Sequence, residues 1–217
     1  MHSACGSPEP TVLEESAEAK RVQTDRRKLI GRAALAGAAA LGGFSFLGQR
    51  AGSAEAAPSA AQDQKIFNFA LLLEYLQAAF YGDAVDRGAL RGEVREFAEI
   101  VAGHERDHVR FLQKALGANA RKRPRFDFRG ATQEQRKFLS TAVALENTGV
   151  AAYNGQVANL TKKALAAAAE IVSVEGRHAA WISDLAGVDP APRAADPGAS
   201  AAAVAAIIRR TGFLSGT

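Results

Sequence analysis

The sequence predicts an all-α protein: a four-helix bundle followed by a short C-terminal helix. Three observations carry that expectation. Apolar residues make up 47% of the 217 residues, whereas aromatics reach only 7%. Alanine dominates the apolar set and runs of Val, Ile and Thr are scarce, which favours helices over sheets. Apolar positions recur at helical spacing in four successive segments, and none alternates as a half-buried strand does.

The first segment is an address. Residues 1–23 are polar, and Thr24-Asp25-Arg26-Arg27-Lys28-Leu29-Ile30 then leads into Ala, Gly, Leu and Phe up to Leu47. Small residues return at Ala54-Glu55-Ala56. A paired arginine, a mild glycine-rich apolar stretch and a small-residue cleavage site together resemble a twin-arginine export signal over residues 1–56, cut after Ala56. A retained membrane anchor is the competing reading. The 19 residues from Leu29 to Leu47 approach the length that spans a bilayer, but Gly31, Arg32, Gly37, Gly42, Gly43 and Ser45 interrupt them. The expectation is therefore an exported protein, in the periplasm, cell envelope or outside the cell. Its partners would include the twin-arginine translocase, and it would touch the membrane only through the signal.

The bundle is expected over residues 57–190. Ile66, Phe69, Ala70, Leu73, Leu76 and Phe80 mark the inner face of a first helix over residues 62–88, and Gly88 and Gly92 bracket a turn. A second helix runs from about Glu93 to Leu116 with Phe97, Ile100, Val101, Phe111 and Leu112 inward, and stops at Gly117. A connection rich in Arg, Lys and Pro follows. Thr132, with Glu134 and Gln135 just after it, opens a third helix that runs to about Leu160. Thr161 caps the fourth, which ends at Gly187 before Asp189-Pro190. Residues 191–217 read as a Pro/Ala linker and a short apolar helix from about Ala199 to Arg210.

The connection between the second and third helices is long enough to matter. About 14 residues reach roughly 46 Å when extended, beyond the ~38 Å of a 25-residue helix. It can run the length of the bundle and let those two helices lie parallel. Its basic run, Arg121-Lys122-Arg123-Pro124-Arg125, reads as a solvated connection.

Composition narrows the function. The single cysteine, Cys5, allows no intramolecular disulfide, so packing or a metal must hold the fold. From Ala57 onward, 20 basic residues face 17 acidic ones, without the concentrated basic face that nucleic acid requires.

An internal repeat carries the chemistry. Leu73-Glu74, Tyr81, Glu105 and His108 recur as Leu145-Glu146, Tyr153, Glu175 and His178. Glu to Tyr is seven residues in both halves and Glu to His is three, with offsets between halves of 72 and 70. Residues three apart share a helix face, so each Glu-x-x-His pair can approach one point. Seven apart is two turns, which places each tyrosine beside its own glutamate. All four glutamates fall near mid-helix and can meet in one layer.

Four buried carboxylates are prohibitive unless their charge is cancelled. Two divalent cations cancel it, with neutral imidazoles completing the coordination. One Glu from each of two helices plus Glu-x-x-His from each of the other two is a dinuclear carboxylate ligand set. Oxygen-rich ligation with some nitrogen and no sulfur suits iron or manganese.

On these residues the chain resembles the ferritin-like superfamily, and within it the exported bacterial ferritin-like domain proteins related to plant desiccation-related proteins. The resemblance covers about residues 62–187. It implies Glu74, Glu105, His108, Glu146, Glu175 and His178 as ligands of two iron ions, with manganese as the alternative. It also implies Glu105 and Glu146, or their symmetry mates, as the bridging pair. Fe(II) binding and oxidation by O₂ or peroxide, in oxidative or desiccation stress, is the implied function. Peroxide dismutation on manganese and a non-enzymatic stress protein with a structural metal are the alternatives, and a homodimer is compatible with the sequence.

One departure stands out. Many di-iron proteins carry an acidic residue immediately before the motif glutamate, orienting a histidine. Here those positions are His104 and Val174, with Asp107 and Asn147 as candidate substitutes. Tyr81 and Tyr153 are expected to hydrogen-bond ligands or donate electrons. Trp181 reads as core packing, and His104, ~100° around the helix from Glu105, as a surface residue or a contact to a neighbouring helix.

Overall fold

The computed structural model describes residues 57–215, and among these described residues are four long helices and one short one. The expected export signal, residues 1–56, and residues 216–217 lie outside the described residues. The helices are α1 (Ala60–Arg87), α2 (Gly92–Leu116), α3 (Gln135–Asn154), α4 (Lys162–Leu185) and α5 (Ala201–Thr211). Among the described residues there is no strand, only one isolated antiparallel bridge between Phe126 and Leu214. None of the described helices is long and apolar enough to cross a membrane.

Polar ties at the helix ends set the topology. Ser59 caps α1 by accepting from the Gln62 amide at 3.2 Å. Asp63, in the first turn of α1, accepts from the amide and hydroxyl of Thr161, the N-cap of α4, at 2.9 and 2.6 Å. The N-terminal ends of α1 and α4 are therefore neighbours, and the two helices run the same way. At the other end of α1, Thr132 donates its hydroxyl to Asp83 at 2.5 Å. The start of α3 thus meets the end of α1, so those two are antiparallel. Because α1 and α2 are joined by a short turn, α2 and α3 run parallel, and residues 117–134 must travel the bundle's length.

Thr132 does not cap α3 as the sequence suggests. The helix begins at Gln135 with Glu134 in the cap position, where its side chain makes no capping bond. The hydroxyl is committed to Asp83 instead. The end of α3 also differs, coming at Asn154 rather than near Leu160. A side chain on Gly155 would put its Cβ 1.9 Å from the Ala199 carbonyl oxygen. The Ala199 amide in turn donates to the Ala151 carbonyl at 2.8 Å. The segment leading into α5 presses on the chain where α3 stops, and a short 3₁₀ turn, Val157–Asn159, follows.

The C-terminal segment is a clasp. Val204 and Ile208 of α5 and the following Phe213 are buried in the core. Beyond them the chain pairs with the long connection. The Asp127 amide donates to Phe213 at 2.8 Å, the Ser215 amide to Arg125 at 3.1 Å, and the Arg129 guanidinium to Gly212 at 3.0 Å. Phe128 packs edge-on against Phe213. The basic residues Arg121, Lys122, Arg123 and Arg125 remain exposed.

Two apolar clusters fill the bundle, one around Phe80, Phe97 and Phe138, the other around Leu71, Leu112 and Ile171. Fully burying each such side chain contributes about 1.5–3 kcal/mol. Along α2 the chain passes from Val101 and Ala102 in the first cluster, through Glu105 and His108, to Leu112 in the second. Along α4 it passes from Ile171 through Glu175 and His178 to Ile182. The polar layer therefore lies where the clusters meet. Ile100, expected inward, is 38% exposed, and Phe69 and Phe111 are half-buried. The inner stripe of α2 runs through Val94, Phe97, Val101, Glu105, His108 and Leu112 instead.

Candidate metal centre

Six ionisable side chains meet in that layer: Glu74 from α1, Glu105 and His108 from α2, Glu146 from α3, and Glu175 and His178 from α4. Each glutamate is at most 1% exposed, while His108 is 8% and His178 3% exposed. Their donor atoms form two overlapping groups. One joins Glu74, Glu105, His108 and Glu175; the other joins Glu105, Glu146, Glu175 and His178. Within each group the atoms lie within 4.8 Å of one another.

His108 Nδ1 stands 3.2 Å from Glu74, 3.4 Å from Glu105 and 3.1 Å from Glu175. His178 Nδ1 stands 3.1 Å from Glu105, 3.5 Å from Glu146 and 3.9 Å from Glu175. Glu105 and Glu175 belong to both groups, whereas Glu74 and Glu146 each belong to one. The shared carboxylates are thus the two Glu-x-x-His glutamates. The resemblance had paired Glu105 with Glu146, or Glu175 with Glu74.

His108 Nδ1 and Glu74 Oε2 have each other, but five other inward atoms lack partners. Both oxygens of Glu105, Oε2 of Glu146, Oε1 of Glu175 and Nδ1 of His178 are buried without a hydrogen bond. An unpaired buried polar atom costs about 1–3 kcal/mol, and more when charged. Five such atoms, on three carboxylates and one imidazole of a layer that holds four carboxylates and two imidazoles in two overlapping groups, fit a pair of divalent cations. With no thiolate present, iron or manganese suits the donor set.

Without metal, the cluster must hold protons to limit its charge. Burial and the neighbouring Glu175 and Glu74 carboxylates raise Glu105 well above the ordinary carboxylate range. Burial, with Glu74 close by, pushes Glu175 up to about 8. Burial works against charge on His108, but its contacts to Glu105, Glu175 and Glu74 outweigh that and raise it to about 12. Burial also pushes Glu74 up, yet the His108 and Glu105 contacts bring it below its ordinary value.

The outward atoms are well supported, in a pattern the spacing did not foretell. Tyr81 donates to Glu146 Oε1 at 2.5 Å and Tyr153 to Glu74 Oε1 at 2.6 Å. Each tyrosine serves the glutamate of the opposite helix rather than its own, because α1 and α3 are antiparallel. Burial and the adjacent carboxylates raise both phenols well above their ordinary value, so they remain donors. Gln77 Nε2 donates to Glu146 Oε1 at 3.1 Å and to Glu175 Oε2 at 3.4 Å. Gln77 lies three residues after Glu74, a spacing that could have flagged it.

His104 is a contact to a neighbouring helix. Its Nδ1 lies 2.9 Å from His178 Nε2, and the two rings stack at 5.2 Å and 13°. Burial and the nearby His178 lower its pKa, which favours the neutral ring. The candidate substitutes do not reach the site. Asp107 pairs with Arg110 on the surface, and Asn147 donates to the Val143 carbonyl at 2.8 Å.

The histidine edges face a cleft of about 380 Å³ between α2 and α4, lined also by His104, Asp107, Val174, Arg177 and Trp181. Trp181 is 36% exposed and set edge-on to Phe97 at 5.0 Å, so it walls the cleft rather than filling the core.

The profile of the ferritin-like domain family matches residues 62–188, the four long helices and the turn after them. No curated protein matches the chain.

Proposed function

The chain belongs to the ferritin-like domain family, and on that premise we propose that it is an exported di-metal protein, with iron the leading metal. The observation that carries this reading is six buried ionisable side chains in two overlapping groups, with five of their donor atoms left without a hydrogen bond. Glu74, His108, Glu146 and His178 would each hold one ion, and Glu105 and Glu175 would be shared. Iron held there would supply electrons to O₂ or peroxide.

The protein's own groups do the rest. Tyr81, Gln77 and Tyr153 fix one oxygen of Glu146 and Glu74, so that the other oxygen points inward. The apolar clusters on either side exclude water, and the cleft beside His108 and His178 admits small reactants. Export by the twin-arginine route belongs to the proposal, supported by Arg26-Arg27 ahead of the apolar stretch. Manganese with peroxide dismutation is the second reading, favoured by the four carboxylates in the donor set.

Anaerobic loading of the metal-free protein with Fe(II), followed by a pulse of O₂ or peroxide, tests the reading. Turnover that disappears when Glu146→Gln and His178→Ala are combined supports it. Peroxide consumption only after Mn(II) loading selects manganese. Stabilisation by metal without turnover in either case leaves a structural metal.

A further inference from the structure

The internal repeat is symmetric in its six ionisable groups but not in what supports them. Gln77 aligns, at the offset of 72, with Gly149, and His104 aligns, at the offset of 70, with Val174. Both extra polar groups fall on the same half of the centre. Gln77 donates to Glu146 and Glu175, and His104 Nδ1 lies 2.9 Å from His178 Nε2. Gly149 is required by this arrangement, since a Cβ there would come 2.8 Å from Glu175 Oε2 and 3.6 Å from the Gln77 amide. At the aligned position Val174, which lines the same cleft as His108, has no polar group to offer.

We propose that the two metal positions are inequivalent: the one formed by Glu105, Glu146, Glu175 and His178 is the tight site, and the one formed by Glu74, Glu105, His108 and Glu175 is the exchangeable site. This rests on the dinuclear reading above and adds a filling order to it. His178 faces the carboxylates through Nδ1, which must carry a lone pair to bind a cation. Its proton then sits on Nε2, where His104 Nδ1 accepts it and holds the ring in that tautomer. Gln77 steadies Glu146 in the same way. The His108 position has only Tyr153, acting on Glu74. Groups that orient ligands in this manner typically change metal affinity 10–100-fold.

Single-position variants separate the sites, with Co(II) as the probe in calorimetric and visible-absorbance titrations of the metal-free full chain. His108→Ala leaves the proposed tight site, and His178→Ala leaves the exchangeable one. The former should bind one Co(II) about 10–100-fold more tightly than the latter. Adding His104→Ala should weaken Co(II) binding about tenfold in the His108→Ala background and leave the His178→Ala background unchanged. Equal affinities in the two single variants, or a His104→Ala effect of the same size in both, overturn the inequivalence. Should either alanine variant fail to fold, Val174→His decides the question, because a cleft-lining position tolerates the change. The added imidazole beside His108 should narrow the gap between the first and second Co(II) affinities, and an unchanged gap counts against the proposal. Absence of Co(II), Fe(II) and Mn(II) binding in the wild type overturns the dinuclear reading itself.

Discussion

Tyr81 donates its hydroxyl to Glu146 Oε1 at 2.5 Å, across the bundle and away from the glutamate seven residues before it on its own helix. Tyr153 mirrors it on Glu74 at 2.6 Å. Each half of the repeat thus supports a carboxylate of the other half, and the site exists only when both hairpins are docked. Tyr81→Phe and Tyr153→Phe should each cost about 1–3 kcal/mol, because a buried carboxylate oxygen loses a donor. Urea unfolding of the metal-free variants measures this. Tyr75→Phe, which removes a part-buried hydroxyl at the edge of the bundle, should cost less than either.

Stability of the metal-free protein should fall as pH rises. Glu175 is raised from 4.5 to about 8, and Glu105 is raised as well. A group raised on folding contributes stability that is complete below its unfolded pKa and lost as pH climbs through its folded one. His108, raised from 6.5 to about 12, adds the same trend above neutrality. Glu74, lowered on folding, acts oppositely, and its contribution is lost only as the pH falls below 4.5. Thermal melts in chelator should therefore show a declining midpoint from about pH 5 to pH 8, the window those shifts define. A midpoint that rises across that window would contradict the proton distribution described above.

Two glycines should respond differently to alanine. Gly155→Ala drives a Cβ into the Ala199 backbone carbonyl, which no side-chain rotation can move aside. Such overpacking costs about 1–3 kcal/mol or more and should be visible in the melt of the metal-free protein. Gly149→Ala instead meets side-chain atoms, the Glu175 oxygen and the Gln77 amide, which can swing away. Its larger effect should be on metal affinity, measured by Co(II) titration.

Metal removal should loosen the whole bundle. At a free metal concentration a thousandfold above the dissociation constant, binding adds about 4 kcal/mol to the folded state. Calorimetric scans with and without chelator should differ by several degrees. The difference should shrink in Glu105→Gln, which alters a carboxylate common to both donor groups.

The parts legible in the sequence were those with a local period. Apolar spacing marked the four helices, and Glu-x-x-His with its repeat marked the six residues that the fold brings together. What escaped depends on neighbours. Seven residues place Tyr81 on the face of Glu74, but only the antiparallel pairing of α1 and α3 decides which carboxylate it meets. His104 turns away from Glu105 on its own helix and for that reason lands on His178 of the next. The end of α3 at Asn154 is set by Ala199, distant in sequence and outside the reach of helix propensity. Gln77 was readable, three residues from Glu74, yet its role depends on Gly149 leaving it room.

Metal stoichiometry in protein purified without added metal tests the central claim most directly, by elemental analysis alongside anaerobic Fe(II) and Mn(II) titration of the stripped chain. Two equivalents per chain are expected, falling to one or none when Glu105 and Glu175 are both changed to alanine. A wild-type chain that carries no metal and takes up neither ion would contradict the account.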